Sequence, residues 1–166
     1  RNYYWKVVAL DVDGNETHGP VWTFRTAVNA QGDITLGLYA DDQGTFCRLS
    51  DVGAGIRNVY VVMDGPMTYT GGRFAAPIPN CFDATWLYDS TPYVTIGDSQ
   101  EDVSFAFGFC LTPPITVMTI SYMSNGNSDG CCQFPLVPPF IIGHMIATDC
   151  SFAELIPRPY PVLGIS

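Results

Sequence analysis

Val103-Ser104-Phe105-Ala106-Phe107-Gly108-Phe109-Cys110-Leu111-Thr112-Pro113-Pro114-Ile115-Thr116-Val117-Met118-Thr119-Ile120-Ser121-Tyr122-Met123 is a run of 21 mostly apolar residues, long enough to be tested as a membrane-spanning helix. Its periodicity excludes that. Val103, Phe105, Phe107 and Phe109 fall on one side of an extended chain, with Ser104, Ala106, Gly108 and Cys110 on the other. Pro113-Pro114 interrupts the middle, where a helix would break. Period two around a central Pro-Pro predicts two strands and a connection.

The same reading extends outward. Strands are predicted over 33–40, 57–63, 92–96, 103–110, 115–123 and 141–150, with a weaker one over 73–76. Turn clusters such as Asp41-Asp42-Gln43-Gly44, Asp64-Gly65-Pro66, Gly97-Asp98-Ser99 and Asn125-Gly126-Asn127 separate them. No capped run of ten or more residues has helical period; 51–57 and 151–156 are each predicted to form one helical turn. Strands without βαβ alternation predict an all-β antiparallel sandwich, immunoglobulin/fibronectin-like or jelly-roll-like, over 33–166.

Composition sets the function classes. The 166 residues are 47% hydrophobic and 13% aromatic, which excludes a disordered chain. Only 14% are charged, about half the usual share. A net charge of -9 repels phosphate and argues against nucleic acid and anionic membranes. Six cysteines, Cys47, Cys81, Cys110, Cys131, Cys132 and Cys150, lie beyond residue 32 without the knuckle spacing that zinc requires. An even count predicts three disulfides and an oxidising, extracellular or cell-surface location. Adjacent Cys131 and Cys132 are expected to reach separate partners. The expected pairing is Cys81 with Cys110, and the vicinal pair with Cys47 and Cys150.

Residues 1–27 read as a separate unit, followed by a linker at 28–32. Tyr3-Tyr4-Trp5-Lys6-Val7-Val8-Ala9-Leu10 and Pro20-Val21-Trp22-Thr23-Phe24-Arg25-Thr26 alternate on either side of a turn-rich stretch. This hairpin resembles the last two strands of a fibronectin type III domain, whose inward positions Tyr3, Trp5, Val7 and Ala9 match. The resemblance implies five preceding strands, so the chain is expected to be a processed or partial piece of a longer protein. A lone hairpin is marginal in water, and Tyr4, Val8 and Leu10 make its second face apolar too; these three are the candidate assembly residues. The phrases Gly37-Leu38-Tyr39-Ala40-Asp41, Val59-Tyr60-Val61-Val62, Thr95-Ile96-Gly97-Asp98-Ser99-Gln100, Cys131-Cys132 and Thr148-Asp149-Cys150 resemble a cysteine-containing C-terminal module of secreted proteins from environmental bacteria. That likeness implies secretion and fold, and transfers no functional residue.

Each candidate site has a plainer reading beside it. Asp11, Asp13 and Asn15 match positions 1, 3 and 5 of a calcium loop, but Glu16 and Trp22 stand where it needs Gly and Glu. The favoured reading is a hairpin turn without a cofactor, calcium being the alternative. Asn15-Glu16-Thr17 is a chance sequon beside a bacterial-looking module. Asp98, Glu101 and Asp102, like Asp41 and Asp42, read as solvated turn carboxylates rather than a glycosidase pair. His18 reads as a turn residue and His144 as a residue of the last strand; no Gly-x-Ser-x-Gly elbow accompanies them. Tyr69, Trp86 and Tyr88 are the candidate sugar platform if exposed, and core otherwise. The expectation is therefore an exported, non-enzymatic structural or adhesive module, joined through strands to a neighbouring subunit or to the rest of a longer precursor. Repeated strand pairing of that kind would build filaments. The alternative is a carbohydrate-binding module attached to a secreted hydrolase.

Overall fold

The computed structural model describes residues 2–6, 8–10, 14–20, 22–25 and 33–166, with the backbone alone for 2–5, 10 and 22–25. The chain divides into two compact units, Arg1–Gly32 and Asp33–Ser166. In the first, β1 (Asn2–Trp5) pairs with β4 (Trp22–Arg25), and β2 (Val8–Leu10) with β3 (Glu16–His18), all antiparallel. Tyr3 lies opposite Phe24 and Trp5 opposite Trp22. Unbroken register would then put Val8 opposite Gly19, yet Val8 faces His18. The return strand therefore has one more residue between His18 and Trp22 than the first strand has between Trp5 and Val8.

The second unit is an all-β sandwich, and no helix occurs among the described residues. Its strands are β5 (Thr35–Tyr39), β6 (Arg48–Leu49), β7 (Gly55–Asp64), β8 (Tyr69–Phe74), β9 (Ala84–Ser90), β10 (Val94–Asp98), β11 (Asp102–Leu111), β12 (Ile115–Ser124), β13 (Cys132–Phe134), β14 (Ile146–Asp149), β15 (Glu154–Leu155), β16 (Arg158–Pro159) and β17 (Leu163–Ile165). One sheet runs β10-β11-β8-β14-β15, a second β16-β5-β7-β12-β9, and a small third β13-β17-β6. Inward side chains of the first sheet (Phe74, Val103, Phe105, Ala147) and of the second (Leu36, Leu38, Val59, Val61, Ile120, Tyr122) share one buried cluster. Phe134, Leu163 and Ile165 of the small sheet join it.

Several expectations are corrected. Segment 51–57 holds no helical turn; its second half opens β7. The 151–156 segment contains strand β15. Residues 141–144 turn rather than extend, because Gly143 sits at φ 69° and its N–H bonds the Pro139 carbonyl at 3.0 Å; His144 is thus exposed in a turn. The sandwich is not purely antiparallel, since β16 lies parallel to β5 and β17 parallel to β6. The tail returns alongside early strands, which local periodicity does not report.

The disulfides also differ. Cys81 bonds Cys132 and Cys110 bonds Cys150, at Cα separations of 5.4 and 5.8 Å, while Cys47 and Cys131 are exposed and unbridged. Two bridges therefore replace the expected three. Leu111 and Asp149, next to Cys110 and Cys150, both pair with Tyr69, so sheet register rather than sequence proximity chooses the partner.

A buried carboxylate anchors one end of the sandwich. Asp51 accepts the hydroxyls of Ser124 and Ser128 and the Ser128 N–H at 3.2 Å, with Arg57 Nε 3.8 Å away. Burial alone would raise its pKa; the hydrogen bonds, with Arg57, overcome that and hold the carboxyl below its ordinary value. A depressed folded-state pKa contributes stability above the unfolded value of about 3.9, which is lost as pH falls through the folded one. Asp51→Ala should cost about 3 kcal/mol at neutral pH, and the penalty should shrink below about pH 4 in denaturant titrations. A penalty independent of pH would show that the carboxylate's charge does not matter.

Candidate functional site

Parity decides which side of β10 meets the core. Tyr93 stacks edge-on against buried Phe107 with ring centroids 4.6 Å apart, and Thr95 pairs with buried Phe105. Tyr93 and Thr95 therefore point inward, and the intervening Val94 and Ile96 must point out. They are 70% and 77% exposed. An edge strand that alternates apolar with polar thus shows its apolar side to solvent.

The ladders carry this face across the sheet, because residues directly opposite share a side. One row runs Val94, Ala106, Gly71, Thr148, Glu154; the next runs Ile96, Ser104, Arg73, Ile146. Arg73 forms a two-pronged ion pair with Asp102, its Nε 2.7 Å from Oδ1. The guanidinium's hydrogen bonding holds Asp102 below the usual carboxylate range against the effect of burial. The floor is close-built backbone: a Cβ on Gly71, in the first of these rows, would press on the Phe105 carbonyl oxygen and fall 3.2 Å from the Ala106 Cα.

Two aromatic rings stand at one end of the face, each displayed by unusual backbone. Strict alternation predicts Phe109 inward with Phe105 and Phe107. Instead the β11–β8 register shifts between Ala106 and Leu111, with Gly108 at φ 80°, and Phe109 is 63% exposed. An irregularity of this kind re-aims the side chain beside it. Phe152 sits at φ 64°, a conformation uncommon for a bulky residue. The Asp149 carboxylate holds it there, accepting the N–H groups of Ser151 and Ala153 at 2.8 and 2.9 Å and the Ser151 hydroxyl at 2.7 Å. Those hydrogen bonds, the Ser151 hydroxyl first, keep the Asp149 carboxyl below its ordinary value. The two rings and the Cys110–Cys150 bridge line a shallow groove of about 610 Å³ with Thr70, Thr148 and Arg73.

The residues singled out in the sequence lie elsewhere. Tyr69 is fully buried, its hydroxyl over Gly65, where a Cβ would clash with that oxygen; it is core, not a sugar platform. Trp86 is half-buried, with Nε1–H donated to Asp89 at 3.1 Å. Tyr88 is exposed on edge strand β9. Trp86 and Tyr88 therefore do not make a shared flat platform with Tyr69. Asp11 and Asp13 lie outside the described residues; Asn15 is exposed in the hairpin turn. Among the described residues, no group of three or more His, Cys, Asp or Glu could hold a metal ion, and no helix is long and apolar enough to cross a membrane. Val8 is 39% exposed, while the side chains of Tyr4 and Leu10 lie outside what is described.

The turn acids are structural. Asp41 accepts the Thr45 N–H and hydroxyl at 3.0 and 2.7 Å and the Phe46 N–H at 2.6 Å; Asp98 accepts the N–H of Gln100 at 2.9 Å. His18 lies 3.2 Å from Glu16 in the exposed hairpin, without a nucleophile beside it among the described residues. Sequence reading missed Phe109 and Phe152 because their exposure comes from a bulge and a left-handed turn. The alternation of Val94-Thr95-Ile96 is visible in the sequence, but nothing in it says which side faces solvent.

No protein-family model matches the chain, and no curated protein matches it. Its fold is similar to that of a chain in the crystal structure of a cohesin–dockerin complex, formed by a CaDoc0917 variant and CaCohA2. The TM-score is 0.53 at 10% identity, over 80% of this chain and 98% of that one. At that identity the likeness is one of fold.

Gly71→Ala tests the floor. Its Cβ would press on the backbone of the neighbouring strand β11, and overpacking of this kind costs roughly 1–3 kcal/mol. Thermal unfolding should show the loss; an unchanged midpoint would mean that the strands can spread to admit a methyl group.

Proposed function

We propose that this chain is a non-enzymatic adhesive or structural module of an extracellular or cell-surface bacterial protein. It meets a neighbouring subunit, or another part of a longer precursor, through the outer face of its first sheet. The observation that carries the reading is the outward apolar side of β10, Val94 and Ile96, on a sheet that also exposes the rings of Phe109 and Phe152. Neighbouring exposed apolar side chains mark contact sites, and an apolar edge strand free of Lys and Pro is open to pairing with another strand. Two disulfides support an oxidising location. The acidic surface supports partners other than nucleic acid or anionic lipid. The fibronectin-like hairpin supports membership in a larger assembly, and the structural neighbour was itself solved in a protein–protein complex.

The second reading is sugar binding. Phe109 and Phe152 beside Thr70, Thr148, Arg73 and Glu154 favour it, because aromatic rings flanking polar groups are able to stack on and bond to a pyranose. No cofactor enters either reading.

Sedimentation velocity on the full chain, with accessible thiols blocked by iodoacetamide, separates the readings. Self-association should weaken at least tenfold, about 1.4 kcal/mol, when Val94→Asp and Ile96→Asp are combined, while the melting point stays close to wild type because both side chains are already in solvent. Val8→Asp should leave association unchanged if β10 rather than the hairpin mediates it. A wild-type chain that stays monomeric at high concentration and binds glycans in a Phe109-dependent way would favour the sugar reading instead.

A further inference from the structure

We propose that Cys47 and Cys131 join two copies of this chain through a reciprocal pair of disulfides. Four of the six cysteines are already bridged, whereas these two are exposed and line one cleft of about 350 Å³ on the small sheet, together with Arg48, Gln133, Gly164 and Ser166. In an oxidising compartment, exposed unpaired thiols point to intermolecular pairing.

Geometry disfavours a bridge within one chain. Strand β17 separates the two: Gly164 pairs with Gln133 of β13 on one side and with Arg48 of β6 on the other. Cys47 precedes Arg48, and Cys131 precedes Cys132, which pairs with Ile165. The cysteines are thus two ladder spacings of about 4.8 Å apart, and are further offset along the strands. That exceeds the limit of about 7 Å between Cα atoms for a disulfide.

Both backbones are held firmly. The Cys47 carbonyl accepts the Gly164 N–H at 2.9 Å. Cys131 lies at φ 65°, next to a Cys132 fixed by its bond to Cys81 and by its N–H to the Asp129 carbonyl at 3.2 Å. Between them Gly164 has no side chain, and the nearest atom to a Cβ there would be the Cys47 oxygen at 3.8 Å. The cleft floor is therefore bare backbone. A two-fold axis in the plane of this face, crossing the line from Cys47 to Cys131 at its midpoint and at right angles, lays each cysteine over the other cysteine of the second copy. One self-complementary contact thus places both bridges.

The oxidant is a small-molecule disulfide such as oxidised glutathione. The thiolate of Cys47 attacks one sulfur of glutathione disulfide, releasing one glutathione thiol and leaving a mixed disulfide. The thiolate of Cys131 from a second copy attacks the Cys47 sulfur and expels the second glutathione. For each bridge, two protein thiols are oxidised and two glutathione thiols carry away the protons and electrons.

The test mixes equal amounts of ¹⁵N-labelled and unlabelled full chain, exposes the mixture to oxidised glutathione, and maps cross-linked peptides by mass. Expected are covalent dimers on non-reducing gels and mixed-isotope Cys47–Cys131 peptides. Cys47→Ser and Cys131→Ser should each abolish the dimer. Same-isotope Cys47–Cys131 links only, links joining Cys47 to Cys47 or Cys131 to Cys131, or a monomer with both thiols free or glutathionylated would each overturn the proposal. Because the β10 experiment uses blocked thiols and this one uses free thiols, either proposal can fail without the other.

Discussion

A single carboxylate holds together the parts of the sandwich that sequence order leaves far apart. Asp51 follows β6 of the small sheet, and its side chain takes hydroxyls from Ser124, the last residue of β12 in the second sheet, and from Ser128 in the loop beyond. Its backbone N–H bonds the Ser166 carbonyl at 2.7 Å, fixing the end of the tail that forms β17. Arg57 of β7 closes the cluster, giving its guanidinium to the carbonyls of Ser50, Val52 and Gly53 at 3.0, 2.9 and 2.7 Å. A buried carboxylate is costly unless its oxygens are matched by donors. Here they are, so the cost converts into specificity: only the register that delivers Ser124 and Ser128 satisfies the charge. The small sheet and its cleft depend on that register.

A second polar network performs the corresponding task beneath the candidate face. Asp89 of β9 accepts the backbone N–H and the hydroxyl of buried Ser99, both at 2.7 Å. Gln100 donates to the Ala76 carbonyl, the Ser99 hydroxyl and the Tyr122 hydroxyl at 3.2, 3.0 and 3.2 Å. Ser99 and Gln100 form the turn joining β10 to β11, while Asp89 and Tyr122 belong to the opposite sheet. The β10 hairpin is therefore tied across the core rather than left to its ladder alone. Burial raises the Tyr122 phenol above its ordinary pKa, with the Gln100 hydrogen bond opposing that effect, so the network stays neutral at this position through the physiological range. The same hairpin packs Tyr93 against Phe107, which leaves Val94 and Ile96 outside.

The long, regular elements were legible because their alternation is strong and their surroundings uniform. Strands β7, β11 and β12 and the core residues Val59, Val61, Val103, Phe105 and Ile120 follow from period two alone. What escaped depends on information that pattern does not hold. A bulge at Gly108 inverts Phe109, and parity set by Tyr93 inverts β10. Strand β9 loses its alternation where its register with β12 shifts beside Tyr122. The disulfides link residues 51 and 40 positions apart, so their pairing is a property of sheet order. Asp51 looked like the start of a helical turn because the node that needs its charge is assembled from residues more than 70 positions away. The candidate surface lay hidden for the same reason: an apolar residue in a strand is read as core until the opposite parity is shown to be occupied.

Charge and apolar contact act in opposite directions on any self-association of this module. Two copies of net charge -9 repel, but exposed charges are largely screened beyond about 8 Å at physiological ionic strength, and the rows around Val94 and Ile96 contain one basic residue, Arg73, already paired with Asp102. The repulsion is thus diffuse, while burial of Val94, Ile96, Phe109 and Phe152 is local and worth roughly 1.5–3 kcal/mol for each side chain fully covered. Association costs at least about 4 kcal/mol in lost freedom, so two covered side chains roughly break even and all four exceed that minimum. A contact of low net affinity, opposed by long-range repulsion that salt relieves, holds firmly only when several act together. A covalent link at the separate Cys47–Cys131 cleft would make such weak contacts cumulative, because tethered copies meet at a high effective concentration.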